Sequence, residues 1–478
     1  MESLYRSAGV VLAEWHAKAK RKPLVIRGAR QVGKSTLVRD FARARGLRLA
    51  EVNLERHTLL EPCFRRLEIP AIRAEIEAIT ERPLAAPDTL LFLDEIQATP
   101  SAFAALRYLH EELPRLAMVA AGSLLEFVLR EPGFSVPVGR IEYLHLGPMG
   151  FGEFLRALGE MRLIDLIEGW EPGAIFAEAA HRRLLECHRQ FLFTGGMPEA
   201  VADYAANRHA AAVKDIHRSI ADTYRDDFAK YAGGGNSLLR LQRVFDYVPS
   251  AVGQKIKYAN IGGDERARDL RKAIDQLAAA RVIWRVHHSD CSGLPLEAQL
   301  DPDIYKCLFL DVGLMNHVCE LDWAAIRRRD ERRLANERGL AEQFVGQHLL
   351  FRERGREQPS LCYWLREGKR DNAEVDYVIA RGDWIVPVEV KAGSAGSLKS
   401  LAQFLARKID PVHQPRVALR FDLNPPTLAE HEHQLTSTPP ATVSYMMLSL
   451  PAYMVEQAGR LFDILRDRRP ASPNRKRG

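Results

Sequence analysis

Gly28-Ala29-Arg30-Gln31-Val32-Gly33-Lys34-Ser35-Thr36 decides how the first third of this chain is read. Up to Ser35 it fits G-x-x-x-x-G-K-[ST], and the context that motif requires is present. The apolar run Leu24-Val25-Ile26-Arg27 precedes it, and helical spacing follows from Ser35 to Arg45. Glycines let a backbone curl so that successive N–H groups face one anion. The helix behind them adds the positive end of its dipole. The stretch is therefore expected to cradle nucleotide phosphates, with Lys34 on the β- and γ-phosphates and Ser35 on Mg²⁺. The plain alternative is a glycine-rich turn ahead of a helix.

Outward from the loop, Leu49–Leu54, Leu90–Leu93 and Met118–Ala121 read as further strands separated by helical segments. Leu90 to Leu93 is wholly apolar, as a strand buried on both faces must be. This alternation predicts a parallel α/β sheet. Asp94-Glu95 then falls at the carboxyl end of a buried strand, where open α/β sheets bind ligands. Asp94 is expected in the Mg²⁺ shell, and Glu95 is expected to act as general base on the attacking water. Ser123, after Gly122, stands where a polar γ-phosphate sensor would. Arg140 is either a transition-state arginine acting on a neighbouring subunit or a surface arginine.

The chain has 478 residues, 46% hydrophobic and 27% charged, with a formal charge of +6. Such a chain buries cores, and its length suggests about three domains. The charge permits a nucleic-acid partner without demanding one. Six cysteines with no Cys-x-x-Cys pair, no signal-peptide pattern over Met1–Lys22, and no apolar run near the ~20 residues of a membrane span together suggest a cytoplasmic location and no membrane partner.

From Phe151 to Lys230 the pattern is helical, broken at Gly195-Gly196-Met197-Pro198, and Gly233-Gly234-Gly235 reads as a linker. Leu238–Val248, Tyr258–Ile261 and Glu265–Arg281 read as successive helices ahead of strands at Val282–Val286 and Tyr305–Leu310, the outline of a winged helix. Its third helix carries Arg266, Arg268, Arg271, Lys272 and Arg281, with Lys255 and Lys257 nearby, so the module is either a DNA reader or a protein-binding surface. The close set His287, His288, Asp290 and Cys291 lacks the second pair a zinc site needs, and reads as a polar turn. Arg327 to Arg333 is charge-dense. After a helix from Arg338, strands at Leu361–Arg366, Val375–Ala380 and Ile385–Val390 bring Asp376 near Glu389 and Lys391, with Glu342 on the helix before them. Carboxylates so gathered suit Mg²⁺, and a lysine beside them suits developing charge.

Gly28–Thr36, Asp94-Glu95-Ile96-Gln97, Ala121-Gly122-Ser123, Gly139-Arg140 and Leu146–Phe151 together resemble the prokaryotic AAA-type ATPases that carry a C-terminal DUF4143 domain. Phe193–Glu199, Phe309–Leu314 and the Glu389-Val390-Lys391 segment resemble the same family. The resemblance implies ATP rather than GTP, a homo-oligomer with ATP sites at subunit interfaces, and Arg140 as the finger residue. The last segment resembles a PD-(D/E)xK nuclease core. That resemblance implies Asp376 and Glu389 as metal ligands, Lys391 as catalytic lysine and Glu342 as the helical acid; the alternative is a salt-bridged triad on a relic nuclease fold.

The expected fold is therefore α/β. An AAA+-type P-loop NTPase domain occupies 1–150, a helical extension 151–232, a winged-helix-like module 233–330, a restriction-endonuclease-like α/β domain 331–465 and a disordered basic tail 466–478. The expected function is Mg²⁺-dependent ATP hydrolysis driving a conformational change, with DNA as a further candidate partner. The alternatives are an ATP-regulated DNA nuclease and a nucleotide-switched binding module.

Overall fold

The computed structural model describes residues 4–123, 125–129, 139–232, 234–321, 323, 326, 337–351, 355–368, 372–392, 398–435 and 441–468. The charged run at 327–333, Gly233, and the tail beyond 468 lie outside the described residues, though Arg466 and Asp467 complete the last helix, Ala458–Asp467.

Five parallel strands form the first sheet: β1 (Leu24–Arg27), β2 (Arg48–Asn53), β3 (Thr89–Asp94), β4 (Ala117–Gly122) and β5 (Glu142–His145), in the order β2-β3-β4-β1-β5. Side chains alternate between the faces of each strand, and both faces are covered. Leu90 and Phe92 of β3, with Leu24 and Ile26 of β1, enter one core. Leu91 and Leu93, with Val25, enter the other, against the helices Ile69–Thr80 and Pro100–Glu112. Strand β5 has no counterpart in the sequence reading: it is four residues long, and its Glu142 and Tyr143 are only half-buried.

Helices Phe151–Ala157, Met161–Gly169, Glu178–Thr194, Pro198–Asn207 and Ala210–Tyr231 follow, as the helical spacing predicts. The first core runs on through them to Phe462, so one face of the nucleotide-type sheet shares its apolar interior with the rest of the chain.

The winged-helix outline is corrected in two places. Its second helix is a single 3₁₀ turn, Tyr258–Asn260, between helices Gly235–Tyr247 and Ala267–Ala279. Its hairpin, β6 (Ile283–Ser289) and β7 (Leu300–Phe309), does not stand free. It ends an eight-stranded mixed sheet with β8 (Cys362–Arg366), β9 (Ala373–Arg381), β10 (Trp384–Val390), β11 (Val417–Asp422), β12 (Thr427–Leu435) and β13 (Ala441–Pro451), in the order β12-β13-β11-β10-β9-β8-β6-β7. Strand β6 runs parallel to β8, pairing His287 with Cys362. An unpaired β8 would expose a row of backbone donors and acceptors, and β6 supplies their partners. The sheet therefore crosses the expected boundary between 330 and 331.

Asp311 fastens this block to the helical region. It is fully buried; Oδ1 accepts from the N–H groups of Gly313 and Leu314, both at 3.0 Å, capping the helix Val312–Val318, and Oδ2 accepts from Gly196 N–H at 2.6 Å. Burial pushes its pKa up to about 6, although these donors favour the charged form. A Cβ on Gly195, whose φ is +67°, would lie 2.0 Å from Asp311 Oδ1, so only glycine fits there. Replacing Asp311 by Ala strands three N–H groups and removes a cap, a loss of about 3 kcal/mol or more. In urea melts followed by far-UV circular dichroism, Asp311→Ala is expected to unfold at clearly lower denaturant and Asp311→Asn to recover part of the loss. An unchanged midpoint for Asp311→Ala contradicts the assignment.

Candidate functional site

The parallel register carries Arg27, Asp94 and Gly122 to the same edge of the sheet, and the residues that follow each strand converge there. Two glycines shape the loop after β1. A Cβ on Gly28 would come within 2.2 Å of Leu146 O, and Gly33 sits at φ +88°. Gln31 also adopts the left-handed region, at φ +61°. Lys34, buried at the start of the helix Lys34–Arg45, donates to the carbonyls of Gly28 at 3.1 Å and Ala29 at 2.7 Å. Burial pulls its pKa down to about 8, against the opposing charges of Glu95 and Asp94.

Ser35 Oγ donates to Asp94 Oδ2 at 2.8 Å, and Glu95 N–H donates to the other oxygen of Asp94 at 3.1 Å. Burial raises the Asp94 pKa. Glu95 lies at φ +51°, a conformation that costs a non-glycine residue about 1–2 kcal/mol. Such strain, held in place by its surroundings, collects at functional sites. Gln97 Nε2 donates to Glu95 Oε2 at 2.6 Å, so the carboxylate is gripped by a residue to which the motif alone assigns no role. Ser123 is buried, and its Oγ has no hydrogen-bond partner among the described residues.

These groups open on a cleft of about 1130 Å³ lined by Gly33, Lys34, Ser35, Thr36, Glu95 and Ser123, with Pro198 and Glu199 of the helical region across from them. Three further residues hold the loop from outside the motif. Arg6 donates to Val32 O at 2.7 Å and to Gly147 O at 2.8 Å. Tyr224 donates to Arg30 O at 2.7 Å, and Asp227 pairs with the Arg30 guanidinium at 2.5 Å. Their contacts span up to 197 positions of sequence, so no local pattern marks them.

Arg140 stands elsewhere. It precedes β5, whose first residue pairs with the first residue of β1, which sets it at the amino edge of the sheet, opposite the loop. There it is half-exposed and pairs with Glu111 at 3.5 Å. Arg140 therefore cannot serve the cleft of its own chain.

The basic residues of the middle region are largely engaged. Arg271 pairs with Asp303 at 2.5 Å, Arg268 with Asp269 at 3.4 Å and Lys255 with Glu367 at 2.9 Å; Arg281 is buried against Glu126 at 2.8 Å. Arg266, Lys272 and Lys257 are exposed. His287 bonds Asp301 O at 3.0 Å, His288 accepts from Leu365 N–H at 3.2 Å and Asp290 pairs with Lys408 at 2.8 Å, which makes this set part of the local backbone framework.

In the C-terminal sheet, Asp376 Oδ2 accepts from Val390 N–H at 2.8 Å, and Lys391 meets Glu389. Glu342, fully buried, faces Lys306 of β7 at 3.4 Å, and Lys306 also pairs with Glu374 at 2.5 Å. Burial lowers the pKa of Lys306, but the charges of Glu342, Asp376 and Glu374 outweigh burial and raise it overall. Among the described residues, no group of three or more His, Cys, Asp or Glu is arranged to hold a metal ion. No described helix is long and apolar enough to cross a membrane, and none of the six cysteines forms a disulfide.

Family models match three segments: an AAA domain over 20–155, a domain of unknown function (DUF8612) over 186–325, and a domain of unknown function (DUF4143) over 338–434. The second runs across the expected break at 233–235. No curated protein matches the chain. Among solved structures, similarity is found to the ORC2 protein of Aeropyrum pernix in its ADP form, at 16% identity and a TM-score of 0.30, covering 67% of this chain and 92% of that one. A STAND signal-transduction ATPase with a tetratricopeptide repeat sensor from Pyrococcus horikoshii matches at 11% and 0.28, covering 72% of this chain and 45% of that one. PCH-2 of C. elegans matches at 12% and 0.26, covering 42% of this chain and 62% of that one. The likenesses are distant, and the chain spans less than two thirds of the length of the last two. An AAA domain is thus matched ahead of a DUF4143 domain, the composition of the AAA-type proteins that the motifs resemble, and the AAA match supports an ATP-binding NTPase.

Proposed function

We propose that the chain hydrolyses ATP in the cleft beside Lys34 and that turnover drives a conformational change in the parts attached to it. The observation that carries this reading is the contact of Ser35 with Asp94 at 2.8 Å, directly behind a lysine whose ammonium is held on the loop's own carbonyls. A hydroxyl and a carboxylate so paired suit a hard cation. Ser35 and Asp94 would hold Mg²⁺, which when bound neutralises charge on the phosphate oxygens.

The chain's own residues do the remainder. Lys34 exchanges the carbonyls of Gly28 and Ala29 for the β- and γ-phosphates, while the N–H groups of the loop bind the anion without reorganising. Glu95 takes the proton of the attacking water, and Gln97 holds that carboxylate in place until it is needed. Ser123 offers its hydroxyl to the γ-phosphate. Arg140 acts on the cleft of a neighbouring copy of the chain, a role compatible with its exposure and its distance from its own loop. DNA, as a partner, would have to contact Arg266, Lys272 and Lys257.

Phosphate-release assays are expected to show no turnover for Lys34→Ala, and ATP bound but not cleaved by Glu95→Gln. Full hydrolysis by Glu95→Gln removes that residue from the mechanism. Because the free lysine loses its proton near pH 8 and only the protonated form holds phosphate, kcat/KM is expected to fall above about pH 8, by up to tenfold per pH unit. A flat profile to pH 10 contradicts the lowered pKa of Lys34. For Arg140→Ala, kcat is expected to drop by about 10³-fold or more with ATP affinity kept; an unchanged kcat assigns Arg140 to the surface.

A further inference from the structure

The PD-(D/E)xK likeness of the C-terminal segment implies a divalent cation on Asp376 and Glu389, with Glu342 beside them. The donor set does not fit one. Magnesium demands a near-octahedral shell of oxygens at about 2.0–2.1 Å. One oxygen of each of the three carboxylates is instead engaged by a donor of the protein itself. Glu389 meets the Lys391 ammonium, Asp376 accepts from Val390 N–H, and Glu342 faces Lys306.

Lys306 is the decisive group. Its side chain is 3% exposed and that of Glu342 is 0% exposed. An ammonium is seldom buried so deeply unless it is paired. Here Nζ lies 2.5 Å from Glu374 Oε1 and 3.4 Å from Glu342 Oε2, and it sits over the Tyr363 ring, 5.0 Å from the centroid. A second cation drawn to Glu342 would stand within ion-pair reach of that ammonium, where little water screens the repulsion. Lys306 belongs to β7, far from the strands that carry Asp376 and Glu389 in sequence, so the acidic motif gives no hint of it.

We propose that Lys306 is the resident cation of this centre, that it takes the position a divalent metal would need, and that the centre binds no metal ion. Its carboxylates fasten β7, through Lys306, to the helix Glu337–Leu350 and to β9. The proposal does not rest on ATP hydrolysis and can fail while that reading stands.

The test is Mn²⁺ binding to the nucleotide-free full chain, followed by the electron paramagnetic resonance of free Mn²⁺ up to millimolar concentration. Wild type and Asp376→Asn are expected to titrate alike, since any Mn²⁺ that both bind lies elsewhere. A wild-type site that disappears in Asp376→Asn overturns the proposal. Lys306→Met, where it folds, is expected to gain one equivalent of bound Mn²⁺ that a further Asp376→Asn removes; a folded Lys306→Met that gains none also overturns it. Should Lys306→Met fail to fold, the comparison of wild type with Asp376→Asn decides the matter alone.

Discussion

Five parallel strands end on one edge of a sheet, and everything the chain can do with a nucleotide depends on that register. Because β1 pairs in parallel with both β4 and β5, and β3 with both β2 and β4, the residues after β1, β3 and β4 arrive at one cleft without any loop having to reach for them. Burial of both faces makes the register costly to slip, since a one-residue shift would exchange Leu91 and Leu93 for Leu90 and Phe92 across two different cores. On that rigid edge the backbone tolerates a left-handed Glu95 and a left-handed Gln31, strain that a mobile loop would release.

The cleft is not isolated from the remainder of the chain. Arg6 joins the loop carbonyl of Val32 to Gly147, and a Cβ on Gly147 would come within 2.6 Å of Phe351, beyond the end of the helix Glu337–Leu350. Phe151 N–H donates to His348 Nε2 at 3.0 Å, and His145 N–H to Gly355 O at 2.8 Å. On the other side, Tyr224 and Asp227 hold the crest of the loop from the helical region. The loop is thus tied to the rest of the chain along two routes. Since β6 and β7 share a sheet with β8 to β13, what those routes reach is one eight-stranded block rather than two separate modules.

Local pattern made much of this legible. The run Leu90–Leu93 ending in Asp94-Glu95 reads as a buried strand delivering acids, and Gly28 to Ser35 carries its chemistry in its spacing. What escaped was non-local. Strand β5 is short and half-polar, so periodicity passes over it. The hairpin reads as a wing because its strands are adjacent in sequence, whereas its place is set by pairing His287 with Cys362 far along the chain. Gln97 stands inside the quoted acidic motif, yet its grip on Glu95 is a matter of rotamer. Lys306 and Arg6 are single cations with no motif around them, and only the fold shows which carboxylates and carbonyls they meet.

The most direct test of the central claim is the release of inorganic phosphate by the purified full chain given Mg²⁺ and ATP, followed beyond one equivalent per chain. The account predicts repeated turnover. Tight ATP binding with no release beyond a single equivalent, or no binding at all, would contradict it.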